Sequence, residues 1–267
     1  MTAKSIHGNS PEEIRLALEQ SLSDDFTPTL AIVFISIKQD RKAVSTMLDK
    51  MGIDVIGATS AGEFTDGHQS EGASVIMLLD IPKEEYSIFF ETIGDGSSEV
   101  TARQLGEVAL RQFNHPAIIF CSTFLSAEGI AIDGETLMRN IENVVGSQVN
   151  IFGGMAGDDL SFTGSYVFTN NDATDYGLVA LIVDADKIAM QGMAISGWKP
   201  MGISRTITKS EGNLIYTIDD KPALETYMRF LGGDLSTADD NFNFFDSIGV
   251  HYPFQIEREN REPMMCN

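Results

Sequence analysis

The hydrophobic and polar positions of this chain alternate between short continuous apolar runs and longer amphipathic stretches. Continuous runs rich in β-branched residues are typical of strands that are buried on both faces. Such short apolar runs predict strands at 29–35, 53–56, 74–79, 86–90, 116–121, 149–152, 178–183 and 188–195. Apolar residues at helical spacing predict helices at 11–22, 40–51, 99–113 and 134–145. This order of elements predicts an α/β fold with largely buried sheets.

The order strand, helix, short strand, strand occurs twice along the chain. Three pairs of segments align: 30–36 with 116–122 at an offset of 86, 56–64 with 152–160 through a one-residue gap that places Gly62 over Gly157, and 72–79 with 177–184 at an offset of 105. Chance similarity between short apolar strands is the alternative explanation. We predict an internally duplicated domain over 25–205, with related halves at 25–113 and 115–205 and the start of a second, smaller unit beyond it.

A glycine-rich segment follows the short strand of each half, and both are predicted to be tight turns. We name residues 57–62 the first glycine segment and residues 153–157 the second glycine segment. Glycine is required where φ is positive or where a neighbouring group leaves no room for a Cβ. Such a turn at a strand end can offer N–H groups to a ligand. The segments therefore line a ligand site, pack the two halves together, or do both.

Neither glycine segment has the pattern of a phosphate-binding loop or of a dinucleotide-binding fingerprint. Hydroxyl and carboxylate side chains nevertheless stand within or beside the segments. Trp198, the single tryptophan, either stacks on a ligand or fills the core. The candidate ligand-binding residues are Gly57, Thr59, Ser60, Gly62, Glu63, Gly153, Gly154, Gly157, Asp158 and Trp198.

Histidines are the candidate ligands for a metal or a haem. The chain contains His7, His68, His115 and His251. No two of them have the spacing of a zinc motif, so a zinc site is not predicted. One axial histidine suffices for haem, and His251 is the candidate for that role.

The two cysteines, Cys121 and Cys266, form no C-x-x-C motif and are too few for a disulfide scaffold. This usage fits a reducing cytosol. Cys121 ends an apolar strand and is expected to be a packed core thiol, not a nucleophile. Because the sequence shows no activated nucleophile, we expect no enzyme, although chemistry at Cys121, Glu63 or Asp158 is a further alternative.

Charge is the most informative feature of the composition. Among 267 residues there are 18 Lys and Arg against 39 Asp and Glu, a formal net charge of −21. Binding to nucleic acid or to an anionic membrane surface would cost electrostatic work. The first residues lack the apolar core of a signal peptide, and no apolar run approaches the roughly 20 residues that span a bilayer. We expect a cytoplasmic protein.

An ordered set of short motifs resembles the FIST domain family. The most specific elements are GGMAGD at 153–158, GWKP at 197–200 and IDDKPA at 218–223. The resemblance covers 28–227 and implies a prokaryotic intracellular sensory domain. It implies a small ligand such as an amino acid, and a separate output protein: a histidine kinase, a cyclase or phosphodiesterase, or a chemoreceptor.

The resemblance also implies an alternative ligand and a further chain segment. One branch of the family resembles haem-binding sensors of nitric oxide that regulate a histidine kinase or a cyclic-di-GMP enzyme, with His251 here as the axial ligand. Family members usually carry a C-terminal FIST part. Residues 246–256 resemble its opening, so 206–267 are expected to form the beginning of a truncated C-terminal part.

Overall fold

The chain divides into two compact units, Met1–Met193 and Ala194–Asn267. Both are taken from a computed structural model, and the predicted α/β class is confirmed. The structure describes residues 1–22, 25–94, 97–193, 198–211, 214–232, 248–249, 251–258 and 261–266.

The first unit contains a mixed sheet, sheet I, with strand order β1-β6-β2-β3-β10-β11. β2 and β3 are parallel, whereas β6 runs antiparallel to both β1 and β2. The strands are β1 (Thr2–Gly8), β2 (Leu30–Ser36), β3 (Asp54–Ser60), β6 (Ser74–Asp80), β10 (Val167–Phe168) and β11 (Ala173–Thr174). A hairpin of β4 (Glu63–Thr65) and β5 (His68–Ser70) follows β3.

A second mixed sheet of the same unit, sheet II, has the order β7-β12-β8-β9. β8 and β9 are parallel, and β12 runs antiparallel to both β7 and β8. The strands are β7 (Tyr86–Thr92), β8 (Pro116–Ser122), β9 (Ile151–Met155) and β12 (Gly177–Asp184). A short 3₁₀ turn, Lys83–Glu85, leads into β7.

Helices cover one face of each sheet. Ile14 and Leu48 pack from α1 (Pro11–Ser21) and α2 (Arg41–Lys50) onto sheet I. Leu105 and Leu137 pack from α3 (Ser98–Gln112) and α4 (Gly134–Val145) onto sheet II. These amphipathic helices lie where the apolar spacing predicts them, because each buries one apolar stripe against a sheet.

The remaining faces of the two sheets pack against each other. Their shared core contains Leu30 and Ile56 from sheet I and Val179 and Leu181 from sheet II. The first unit therefore has four layers, in the order helices, sheet I, sheet II, helices. Since each central strand is covered on both faces along most of its length, its sequence is a continuous apolar run instead of an alternating one.

The two sheets repeat one topology, because β1-β6-β2-β3 and β7-β12-β8-β9 have the same order and directions. Val33 lies beside Gly57 in sheet I, as Phe120 lies beside Gly153 in sheet II. This pairing gives an offset of 87 residues between β2 and β8, instead of the predicted 86. A slip of one residue would turn every side chain to the opposite face. A common origin of the halves stays a prediction.

The predicted division between the halves, 25–113 against 115–205, is wrong. β7 and α3 belong to sheet II, so the division falls between β6 and β7. β1 was not predicted, because an edge strand with polar residues such as Lys4, Ser5 and His7 carries little apolar signal. The predicted strand 188–195 does not form over 188–193, and its last residues lie outside the described ones.

The second unit is smaller. Its three-stranded antiparallel sheet precedes α5 (Ala223–Leu231), and the described residues end with a two-stranded ladder. The strands are β13 (Ile207–Glu211), β14 (Leu214–Ile218), β15 (Lys221–Pro222), β16 (Phe254–Arg258) and β17 (Arg261–Cys266). The boundary at 205 and the truncated C-terminal part stay predictions, and 246–247 and 250 lie outside the described residues.

The substitution Gly106→Ala tests the close packing of α3 against α4. A Cβ at this position would lie 2.8 Å from the Val144 Cβ. Helix propensity favours alanine over glycine by about 1 kcal/mol, whereas overpacking costs about 1–3 kcal/mol. We expect Gly106→Ala to lower the free energy of unfolding in urea, while Gln104→Ala on the exposed face stays within about 0.5 kcal/mol. A more stable Gly106→Ala protein would contradict this packing.

Candidate functional site

The two glycine segments are in direct contact, and we call this contact the glycine junction. The Gly157 N–H donates to the Thr59 carbonyl oxygen at 2.8 Å, and the Asp159 N–H donates to the Ser60 carbonyl oxygen at 3.2 Å. A Cβ on Gly157 would lie 2.9 Å from the Ala61 Cβ. The junction therefore joins the end of β9 in sheet II to the end of β3 in sheet I.

Most of the predicted turn glycines lie in strands. β3 continues to Ser60 and β9 continues to Met155, so the prediction that the strands stop at Gly57 and Gly153 is wrong. A Cβ at Gly57 would lie 2.3 Å from the Phe168 ring, and one at Gly153 would lie 2.1 Å from the Phe120 carbonyl oxygen. These glycines are required by close approach instead of by a left-handed backbone.

The polar side chains of the first glycine segment are bonded within the protein. The Thr59 hydroxyl accepts from the Tyr166 N–H at 2.8 Å, while the Thr59 N–H donates to the Tyr166 carbonyl oxygen at 2.9 Å. The Ser60 hydroxyl donates to Glu63 Oε1 at 2.6 Å, and the Ala73 N–H donates to Glu63 Oε2 at 3.0 Å. Glu63 is buried, and these bonds satisfy its carboxylate. The Thr59 side chain therefore helps to hold the junction in place, and the Ser60 and Glu63 side chains hold the β4–β5 hairpin beside it.

Asp158 organises the loop that follows the second glycine segment. Burial alone would raise the pKa of its carboxyl, but hydrogen bonds outweigh that effect and hold the pKa below its ordinary value. The donors are the backbone N–H groups of Thr163 at 2.7 Å and Gly164 at 3.2 Å, with further bonds from Phe162 and Ser161. Asp158 is therefore an ionised acceptor within its own loop.

The loop at 158–164 has an unusual backbone that the sequence did not reveal. Asp159, Leu160 and Phe162 have φ values of 54°, 58° and 51°, a region that costs non-glycine residues about 1–2 kcal/mol each. The Asp159 carboxylate accepts from the Ser36 hydroxyl at 2.6 Å and lies 3.6 Å from Lys38 Nζ. Leu160 and Phe162 are 69% and 45% exposed. The loop therefore presents two apolar side chains beside the junction.

The remaining predicted ligand-binding residues are Gly62, Gly154 and Trp198. Gly62 takes a φ of +119° and connects β3 to the hairpin, and Gly154 has open space at its Cβ position. Trp198 lies in the second unit, where it is 49% exposed. Gly197 of the GWKP motif lies outside the described residues.

His251 also lies in the second unit, just before β16. Its side chain is exposed, its backbone N–H donates to the Ile248 carbonyl oxygen at 3.0 Å, and its neighbour Tyr252 is 46% exposed. The described residues contain no group of three or more His, Cys, Asp or Glu that could hold a metal. Haem binding through His251 stays a prediction.

The structure buries the candidate cysteine and leaves the candidate histidines exposed. Burial raises the pKa of the Cys121 thiol to about 11, which leaves little thiolate near neutral pH. Two histidines far apart in sequence come together, since the rings of His7 and His68 stack with centroids 4.4 Å apart. The spacing of the histidines along the sequence could not predict this pair.

The fold and junction define a four-layer α/β domain in which two sheets of one topology are joined by backbone hydrogen bonds. The family model of the FIST N domain matches residues 29–221. The chain therefore belongs to the FIST family, whose domains are sensors in signal transduction.

A curated relative extends this comparison. The chain is 24% identical over 212 residues to an uncharacterised protein of Methanocaldococcus jannaschii, a match that covers 75% of this chain and 40% of the relative. The chain thus spans about two fifths of that protein's length. In the part of the chain that the structure describes, no helix is long and apolar enough to cross a membrane.

Alanine substitutions at two adjacent glycines test the close approach of β9 to β8 within sheet II. Gly153→Ala is expected to lower the free energy of unfolding by at least about 2 kcal/mol, because its Cβ would collide with a backbone carbonyl. Gly154→Ala is the matched control and is expected to stay within about 0.5 kcal/mol. Urea unfolding of both variants measures the difference, and equal stabilities would refute the assigned register of β9.

Asp158 gives a prediction for stability against pH. Because its pKa is lowered in the folded state, its contribution is present above the unfolded pKa of about 3.9 and is lost as pH falls through the folded value. We expect Asp158→Asn to reduce the free energy of unfolding by about 1–2 kcal/mol at neutral pH. This deficit should shrink below about pH 4. Asp49→Asn, on an exposed helix face, should show neither effect; a deficit independent of pH would refute the ionised role.

Proposed function

We propose that this chain is a small-ligand-sensing domain that binds a molecule such as an amino acid beside the glycine junction. Membership of a sensor family supports the sensing role. The observation that carries the location is the strained 158–164 loop, with Leu160 and Phe162 exposed beside the ends of β3 and β9. Ligands of α/β sheets commonly bind at the carboxyl ends of strands.

The strain of the loop supports a functional reading. Left-handed non-glycine residues persist where the surroundings over-determine them, and they concentrate at ligand clamps and switch regions. Here the Asp158 and Asp159 carboxylates anchor the loop from both sides, through Thr163 and Ser36. A loop held only for packing would have little reason to present Leu160 to solvent, because burial of that side chain would stabilise the fold.

The junction offers a route from ligand to output. The second glycine segment and the 158–164 loop follow β9 of sheet II. Their N–H groups nevertheless donate to the Thr59 and Ser60 carbonyl oxygens at the end of β3 in sheet I. A ligand with different affinity for two arrangements of this contact would shift their populations. The output protein would be a histidine kinase, a cyclase or phosphodiesterase, or a chemoreceptor in the cytoplasm.

The charge of the chain restricts its partners. A net charge of −21 favours zwitterionic or cationic ligands over polyanions, so nucleic acids and anionic membranes are not proposed as partners. The buried Cys121 and the internally bonded Glu63 and Asp158 offer no activated nucleophile. Binding without turnover is therefore the proposed activity.

A thermal-shift screen with the natural amino acids tests this function. A ligand at a hundredfold excess over its Kd stabilises the native state by about 2.7 kcal/mol, which raises Tm by about 5–10 °C for a chain of this size. Leu160→Asn is expected to abolish that ligand-induced rise. The free variant should keep the Tm of the parent protein or exceed it, because asparagine tolerates a left-handed backbone.

The matched control is Leu110→Asn, the same change at a 46% exposed position of α3. It should lower the Tm of the free protein slightly and leave the ligand-induced rise intact. A screen in which no amino acid raises Tm would overturn the proposed ligand class. If the ligand-induced rise in Tm persists in the Leu160→Asn variant, the ligand does not bind beside the junction.

A further inference from the structure

The face of sheet I that packs on sheet II is covered over only part of its width. On β3, Ile56 and Ala58 are buried in the core between the sheets. On the same face, Phe34 of β2 is 42% exposed and Met77 of β6 is 43% exposed, and His7 of β1 is exposed. An apolar sheet face thus continues out of the core into solvent.

The strand registers place these side chains in one surface. His7 pairs with Val75, and Val75 pairs with Phe34, so the three form one row across β1, β6 and β2. Met77 lies two residues from Val75 on the same face of β6. Strands are spaced about 4.8 Å apart, so the row is about 10 Å wide from the first strand to the third. Val75 itself is buried, so the exposed members of this row are His7 and Phe34. We name His7, Phe34, Met77 and Val75, with His68, the aromatic face.

The β4–β5 hairpin supplies the border of the aromatic face. His68 stacks on His7 with an angle of 24° between the rings. The hairpin is held by the buried Glu63 carboxylate, which accepts from Ser60 and Ala73. The imidazole pair is therefore a fixed feature and stands beside an exposed phenyl ring and a thioether.

The carboxylates of the hairpin region give the border of the aromatic face a negative charge. The hairpin region carries exposed carboxylates at Asp66 and Glu71, in a chain with a net charge of −21. The neighbouring lysine of β1, Lys4, is on the opposite face, where its Nζ donates to the Ser21 carbonyl oxygen and lies over the Phe26 ring. An anionic ligand would meet repulsion here, whereas a cation would be attracted.

We propose that the aromatic face binds a planar aromatic cation of two or three fused rings. The width of the row matches such a molecule, aromatic rings attract a cation held over their faces, and the methionine thioether adapts to a flat apolar surface. The aromatic face shares no residue with the two glycine segments, and the proposal does not depend on the proposed amino-acid ligand.

Fluorescence titration with proflavine, a planar three-ring cation, tests the site on the full chain. We expect saturable binding that Phe34→Leu weakens about fivefold, because leucine keeps apolar area but removes the ring. Phe124→Leu is the matched control, since Phe124 is 43% exposed elsewhere in the unit. Its affinity for proflavine should equal that of the parent protein. Equal affinities of all three proteins would overturn the proposal.

Two further measurements separate the proposal from simpler explanations. Anthracene-2-carboxylate, a three-ring anion, should bind at least tenfold more weakly than proflavine, and equal binding of the two dyes would refute the charge argument. His68→Leu, at an exposed hairpin position, should also weaken proflavine binding while circular dichroism stays unchanged; unaltered affinity would remove the imidazole pair from the site. Leu160→Asn should leave proflavine binding intact, so this site and the proposed function can fail independently.

Discussion

The close backbone approach of the two glycine segments is the constraint on which the first unit depends. Only a residue without a Cβ fits at Gly157, where the N–H reaches the Thr59 carbonyl oxygen. The chain then crosses from sheet II to sheet I, where Val167 pairs with Ala58 and β10 extends the sheet. The Phe168 ring consequently covers Gly57. One hydrogen-bonded contact therefore fixes the connection between the sheets and the edge of sheet I.

The sequence predicted those elements whose signal is local. Continuous apolar runs and amphipathic stretches gave the central strands and four helices, since burial on two faces or on one stripe leaves a clear periodicity. Pairing is not local, and strands such as β2 and β8 look alike in either of two registers, so the offset was wrong by one residue. β1 was missed because its side chains are half polar. β7 and α3 were placed in the wrong half because sequence order does not reveal which sheet a strand joins.

The candidate site was predictable to a similar extent. Contact between the glycine segments was one of the two predicted roles, the other being a ligand site, and the structure brings the segments into contact. Sequence could not distinguish a carboxylate that awaits a ligand from one that is already bonded, as Glu63 and Asp158 are. Nor could it show the left-handed backbone at Leu160, because that conformation is imposed by contacts from distant residues such as Ser36. The stacking of His7 on His68 depends on a strand pairing at the edge of sheet I.

The two halves differ most in the connections that follow their glycine segments. In the first half the chain turns back as the β4–β5 hairpin and brings His68 onto its own sheet. In the second half it forms the 158–164 loop and donates β10 to the other sheet. The two sheets share one topology but have different surroundings. The connection after the first glycine segment returns to its own sheet, whereas the connection after the second crosses to the other sheet. The strained loop and the aromatic face both arise from this difference, so the asymmetry between the halves, more than their repeated topology, gives the domain surfaces suited to recognition.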